Sequence, residues 1–148
     1  MKLTSPAFLP LQSIPAKFTC DGENINPELH INGVPESAKS LALIMDDPDA
    51  TGGRTWDHWT LWNIDPKISV IKENSVPVGA VQGVTSFGDK KYGGPCPPRG
   101  SKPHRYMFKL YALDVVLDLP APSHKIDIEH AMKGHIVAEA GLVGLFGH

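Results

Sequence analysis

The sequence predicts a mainly β domain with a few helices, an α+β chain built around one hydrophobic core. Three observations lead there. Glycine and proline supply 14 residues each, too many for a helical bundle yet short of a disordered composition. The apolar residues, 41% of the chain, fall in short runs that stop at prolines, as strands do. A length of 148 residues is enough for one ordinary core, whereas two halves would each be marginal. A single domain over 1–148 is expected.

Along the chain, the N-terminal stretch is interrupted by Pro6, Pro10 and Pro15. It has no unbroken apolar segment of a secretory signal, and no run anywhere approaches a membrane span. A cytoplasmic protein is the expectation. Leu41-Ala42-Leu43-Ile44-Met45, closed by Asp46-Asp47-Pro48, has the length and boundary of a buried strand. His58 to Ile64 is rich in β-formers. Strict alternation there puts Trp59, Leu61 and Asn63 on one face and Thr60, Trp62 and Ile64 on the other. Tyr106 to Leu113 alternates too, with Tyr106, Phe108, Leu110 and Ala112 together. Asp46 to Asp57 and Gly83 to Pro103 are long polar, glycine- and proline-bearing loops. Loops of that length are usually functional, and both lead into a strand that opens near a histidine.

The last 25 residues change character. Ile128, Ala131, Met132, His135, Ala138, Glu139 and Leu142 recur at three- and four-residue spacing, with Asp127 placed to cap. The spacing predicts an amphipathic helix from Asp127 to about Ala140. Its only lysine or arginine is Lys133, which excludes a basic membrane-surface helix.

Charge narrows the function classes. The net charge is -2 and the pI about 6.4, so no basic field drives binding to nucleic acid or an anionic membrane. Cys20 and Cys96 are the only cysteines. In a reducing cytosol the default is two free thiols; one long-range disulfide is the alternative, and composition leaves both open.

The chemistry-bearing residues gather at strand and loop junctions: Asp47 and Asp49 after the first strong strand, His58 before the second, His104 and Tyr106 before the third. A carboxylate that orients an imidazole leaves the other ring nitrogen free to face a ligand. Together with a phenol and glycine-rich backbone, such a group offers N–H and O–H donors to an oxyanion without a basic surface. Taken singly, Asp-Pro-Asp is an ordinary turn and either histidine an ordinary structural residue.

Asp47-Pro48-Asp49-Ala50, His58-Trp59 and the run Cys96-Pro97-Pro98-Arg99-Gly100-Ser101-Lys102-Pro103-His104-Arg105-Tyr106 resemble the phosphatidylethanolamine-binding protein family, in its bacterial and archaeal, Raf-kinase-inhibitor-like branch. Phe18 to Pro27 and the segment His135 to Gly144, read as a closing helix, extend the resemblance over nearly the whole chain. The resemblance implies two antiparallel sheets flanked by short helices and a small pocket for phosphate-like groups. Carried over by motif, Asp47 is the pocket carboxylate, His58 and His104 its histidines and Tyr106 its tyrosine. Pro98 lines the wall, Cys96 sits at the rim, Asp49 stabilises the loop and Trp56 forms the mouth. Thr51 stands where the family often has another proline, which argues against a cis peptide there. The extended C-terminal helix of the mammalian branch has no counterpart, so kinase regulation and lipid specificity are not carried over.

A non-enzymatic binding or regulatory protein without a cofactor is the expected function, its partner a small anionic ligand. Inhibition of a partner kinase or protease is the alternative and is compatible with it. Two enzymatic readings rank lower. Two histidines and an aspartate could form a metal site, but no H-x-x-x-H or H-E-x-x-H spacing occurs. Cys96 near His104 could be a thiol nucleophile, but no catalytic signature surrounds it. No metal is assigned, and a homodimer is left open.

Overall fold

The computed structural model describes Met1–His148, and it contains two antiparallel sheets, as the family resemblance implies. The smaller joins β1 (Lys2–Thr4), β2 (Leu29–Asn32) and β5 (Val70–Ile71) in the order β1-β2-β5. The larger holds β3 (Ser40–Asp47), β4 (Trp56–Ile64), β6 (Val81–Gln82), β7 (His104–Leu113) and β8 (Ile136–Phe146) in the order β6-β4-β3-β7-β8. One helix, α1 (Lys125–Met132), and a single 3-10 turn at Ala16–Phe18 complete the chain.

Every residue of β3 is buried, because it is the central strand and both its faces are covered. Leu41, Leu43 and Met45 join Leu29, Ile31, Tyr106 and Phe108 in the main core between the sheets. Ala42 and Ile44 meet Trp62, Ile128 and Met132 in a second cluster under α1. This double burial is why the strand reads as an unbroken apolar run rather than an alternating one.

β4 departs from strict alternation at two places. Leu43 pairs with Leu61 but Leu41 with Ile64, so β4 carries one extra residue there. Asn63 takes a left-handed backbone, φ 55°, and its amide mimics a strand partner. Its Nδ2 donates to the Leu117 carbonyl and its Oδ1 accepts from the Leu117 N–H, each at 2.8 Å. The bulge returns Ile64 to the main core beside Trp59 and Leu61, which corrects the assignment of Ile64 to the Thr60 and Trp62 face. Asn63→Ala removes two hydrogen bonds, about 1 kcal/mol each, and leaves a β-carbon residue in a backbone that costs about 1–2 kcal/mol. Urea unfolding is expected to show a loss of about 2–4 kcal/mol, with Asn63→Gly losing less. Equal stability of wild type and Asn63→Ala would contradict this account of the bulge.

The C-terminal helix predicted over Asp127–Ala140 is corrected. The helix ends at Met132, Gly134 turns the chain at φ 83°, and Ile136–Phe146 is an eleven-residue strand paired along β7. The segment His135–Gly144 is therefore not helical. Spacing of four, as between Ala138 and Leu142, satisfies a strand's period of two equally well. β-branched Ile136, Val137 and Val143 with Gly141 and Gly144 favour the strand. Gly144 is required there, since a Cβ would sit 2.5 Å from Ile14 and 2.7 Å from Phe8. Asp127 is not the cap but lies three residues inside, its carboxylate accepting the His124 backbone N–H at 2.8 Å.

The two cysteines are joined. Cys20 and Cys96 form a disulfide across a sequence separation of 76, their Cα atoms 5.4 Å apart, so the free-thiol expectation is replaced. Residue separation alone says nothing about proximity; the pairing follows from the fold, which lays the turn after Phe18 against the loop before β7. The Cys20 N–H donates to the Pro95 carbonyl at 3.1 Å. All peptide bonds are trans, the one before Thr51 included, and no helix is long and apolar enough to cross a membrane.

Candidate functional site

One end of the larger sheet, on the face that carries the main core, is polar. β3 runs out of apolar residues at Asp47, which points to the same side as Met45 by alternation. Asp46 pairs with Met107, which sets Asp47 beside Tyr106 of β7, and His104 follows on that face two residues away. On the other flank Asp47 pairs with Trp56. His58 reaches this face through the second irregularity of β4: Met45 pairs with Trp59 and Asp46 with Asp57, leaving His58 as the extra, bulged residue. Bulges commonly re-aim a side chain next to a site. Without this one, His58 would point away from the pocket with Thr60.

The groups surround a cavity of about 260 Å³, below the usual range for drug-sized ligands and suited to a headgroup-sized one. Asp47, His58, His104 and Tyr106 form its polar floor, and Trp56, Cys96 and Pro98 line its walls. Asp49 does not line it. Its carboxylate accepts from the Arg105 backbone N–H, Nε and Nη2, each at 2.9 Å. That guanidinium holds Asp49 well below the usual carboxylate range, down to about 2. Four lining residues escaped the sequence reading: Ala50, Thr51, Phe87 and Pro97. Three of them adjoin residues already singled out. Phe87, the only phenylalanine in the long 83–103 loop, stacks edge-on to Trp56 at 5.5 Å and to His58 at 5.4 Å; an apolar aromatic in a polar loop was the available signal.

Hydrogen bonding fixes both imidazoles. Asp47, almost wholly buried, accepts the His104 Nδ1 proton at 2.8 Å through Oδ2 and the Asp49 backbone N–H at 2.8 Å through Oδ1. His58 Nδ1 donates to the Gly93 carbonyl at 2.7 Å, because a carbonyl can only accept. Each ring therefore keeps Nε2 free of these contacts. Burial pushes the His58 pKa below its ordinary value, against the opposing pull of the Gly93 carbonyl and the Asp47 charge. Near neutral pH His58 is uncharged. The Tyr106 phenol is pushed up, first by burial and then by the Asp47 carboxylate, with the Cys96 backbone amide working the other way. It remains a protonated donor throughout the physiological range.

No lysine or arginine lines the cavity. The polar side chains that line it are the Asp47 carboxylate, the His58 and His104 imidazoles and the Tyr106 phenol. Cys96, being half of a disulfide, presents no thiolate for nucleophilic attack.

The model of the phosphatidylethanolamine-binding protein family matches residues 4–147. A Methanothermobacter thermautotrophicus relative named UPF0098 protein is 50% identical, with 99% of this chain and 98% of that one covered. A solved structure of a phosphatidylethanolamine-binding protein homologue from Chlamydia trachomatis superposes with a TM-score of 0.94 at 41% identity, covering 99% of this chain and 97% of that one. Escherichia coli YbcL, described as a member of the mammalian family, gives a TM-score of 0.93 at 31% identity over 99% and 98% of the two chains. By fold, sequence and the match over nearly its full length, this chain belongs to the phosphatidylethanolamine-binding protein family.

Proposed function

We propose that the protein is a non-enzymatic binding or regulatory protein whose pocket captures a phosphate-like group. The observation that carries this reading is the pair of oriented imidazoles, His104 held by Asp47 at 2.8 Å and His58 held by Gly93 at 2.7 Å, facing one cavity with Tyr106. A small anion fits such a site because Tyr106 and the two oriented imidazoles share one cavity, and hydrogen bonds from such groups to an anion are charge-assisted. Trp56, Phe87 and the prolines supply an apolar mouth for whatever carries the anionic group, a lipid headgroup or a phosphorylated side chain of a partner.

The site makes binding proton-coupled. With Nδ1 occupied, His58 donates to an anion only from a protonated Nε2, and burial keeps that proton off in the free protein. Sulfate, which does not titrate in this range, isolates the effect. Its affinity is expected to rise as the pH falls from about 7.5 toward 5.5, by up to about tenfold per pH unit for each proton taken up. Without the anion the sign for stability is opposite. The folded His58 pKa lies below the unfolded value, near 6.5, so the unfolded chain binds the proton first and stability falls as the pH drops below that value. The charges that act on His58 are the carboxylates of Asp47 and Asp46, both opposing the effect of burial. Calorimetric titration with sulfate at several pH values tests the reading; affinity that is flat with pH, or no binding at any pH, contradicts it.

A further inference from the structure

The wall of the pocket formed by Cys96, Pro97 and Pro98 has an unusual anchorage. The two prolines have no N–H to donate, so the segment has few backbone hydrogen bonds of its own. It is tied down at its first residue by the disulfide to Cys20. His148 Nε2 clips the Pro97 carbonyl at 2.5 Å, and Ser101 holds the Pro98 carbonyl through its Oγ at 2.8 Å and its N–H at 3.2 Å. On the far side of the disulfide, Asp21 accepts from His148 at 2.7 Å and from Arg99 at 3.2 Å. Cys20 and Cys96 are both solvent-exposed, so the bond is open to attack by thiols. Exposed disulfides are the labile ones, whereas buried structural pairs resist reduction. Cys96, one of the two exposed residues of the pair, also lines the cavity.

We propose that the Cys20–Cys96 disulfide is a thiol-exchange site whose redox state sets the anion affinity of the pocket. This rests on the anion-binding reading given above. The reductant is a dithiol. One thiolate attacks a sulfur of the pair, the Cys–Cys bond breaks, a mixed disulfide forms, and the released cysteine takes up a proton. The second thiol of the reductant then displaces the mixed disulfide. The dithiol leaves oxidised by two electrons, and Cys20 and Cys96 become thiols. The Cys96–Pro98 wall, left with the local contacts of His148 and Ser101 and no covalent tie at Cys96, moves away from His104 and Tyr106, and the donors lose their enclosure. A reducing compartment keeps the pocket weak; an oxidising one closes it.

The test uses the whole folded chain, oxidised or treated with dithiothreitol, with thiols counted by alkylation and mass measurement. Sulfate titration followed by NMR and amide hydrogen exchange are read on both forms. The expected result is complete reduction of the folded protein, at least tenfold weaker sulfate binding, and faster exchange confined to Gly93, Gly94 and Arg99–Ser101. Cys20→Ala, studied without reductant, should reproduce the reduced form. Equal sulfate affinity in the two forms, a bond that resists dithiothreitol until the chain unfolds, or global unfolding on reduction would each overturn the proposal. If neither form binds sulfate, the anion reading fails, and amide exchange alone judges the clasp: faster local exchange supports it, unchanged exchange overturns it.

Discussion

Asp47→Asn is expected to weaken phosphate binding by about tenfold to a hundredfold while leaving the chain folded. Asp47 makes two contacts, accepting from His104 Nδ1 and from the Asp49 backbone N–H. An asparagine retains one acceptor oxygen and turns its N–H₂ toward the other partner. If Oδ1 keeps the Asp49 N–H, the amide nitrogen confronts His104 Nδ1, which must then accept. The ring loses the negative charge behind it. Two electrostatic effects compete: removing a carboxylate near the anion relieves repulsion, but the carboxylate that orients the ring and supports positive charge at the site is gone. What remains is the loss of a charge-assisted hydrogen bond, about 1.5–3 kcal/mol, which sets the expected fold-change. Calorimetry with phosphate on both proteins reads it directly, and unchanged affinity would mean that Asp47 serves only the turn at Asp49.

Removing the disulfide is expected to lower stability substantially. The bond links the turn after Phe18 to the loop before β7 across 76 residues, and cross-linking a loop of that size restricts the unfolded chain by up to about 4–5 kcal/mol in the chain-entropy model. Native bonds typically deliver about 2–4 kcal/mol. Neighbouring contacts moderate the loss, because Tyr92 Oη still donates to the Phe18 carbonyl at 2.7 Å and Gly94 N–H to Asn24 Oδ1 at 2.7 Å. The Cys20→Ala, Cys96→Ala double variant should therefore unfold cooperatively at a lower urea midpoint, by an amount equivalent to about 2–4 kcal/mol. A midpoint matching that of the oxidised protein would show that the bond imposes no constraint the fold lacks without it.

Much of the fold is legible in the sequence for a simple reason. Leu41–Met45 is apolar on both faces because β3 is covered on both, and Tyr106, Phe108, Leu110 and Ala112 keep their alternation because β7 pairs with β3 without interruption over that stretch. The site residues are legible as a motif, since the junctions that hold Asp47, His58, His104 and Tyr106 are marked by prolines and glycines. Two bulges in β4 are not legible. Nothing in His58-Trp59 says that consecutive side chains share a face, and only the pairing of Met45 with Trp59 and Asp46 with Asp57 shows it. The C-terminal strand is misread because small residues at four-residue spacing fit two periodicities, and pairing with β7 decides between them. The disulfide depends on which loops the fold brings together, which no local pattern encodes.

The central claim is that the oriented imidazoles and the phenol capture a phosphate-like group in this cavity. A two-dimensional NMR titration of the isotope-labelled, oxidised protein with phosphate, then phosphoethanolamine, tests it most directly. The account predicts saturable shifts centred on the His58 and His104 ring signals and on the amides of Gly93, Cys96 and Tyr106, with Asn63 and α1 unmoved. Signals at those positions that stay still at saturating phosphate, in a sample whose spectrum is that of a folded protein, would contradict it.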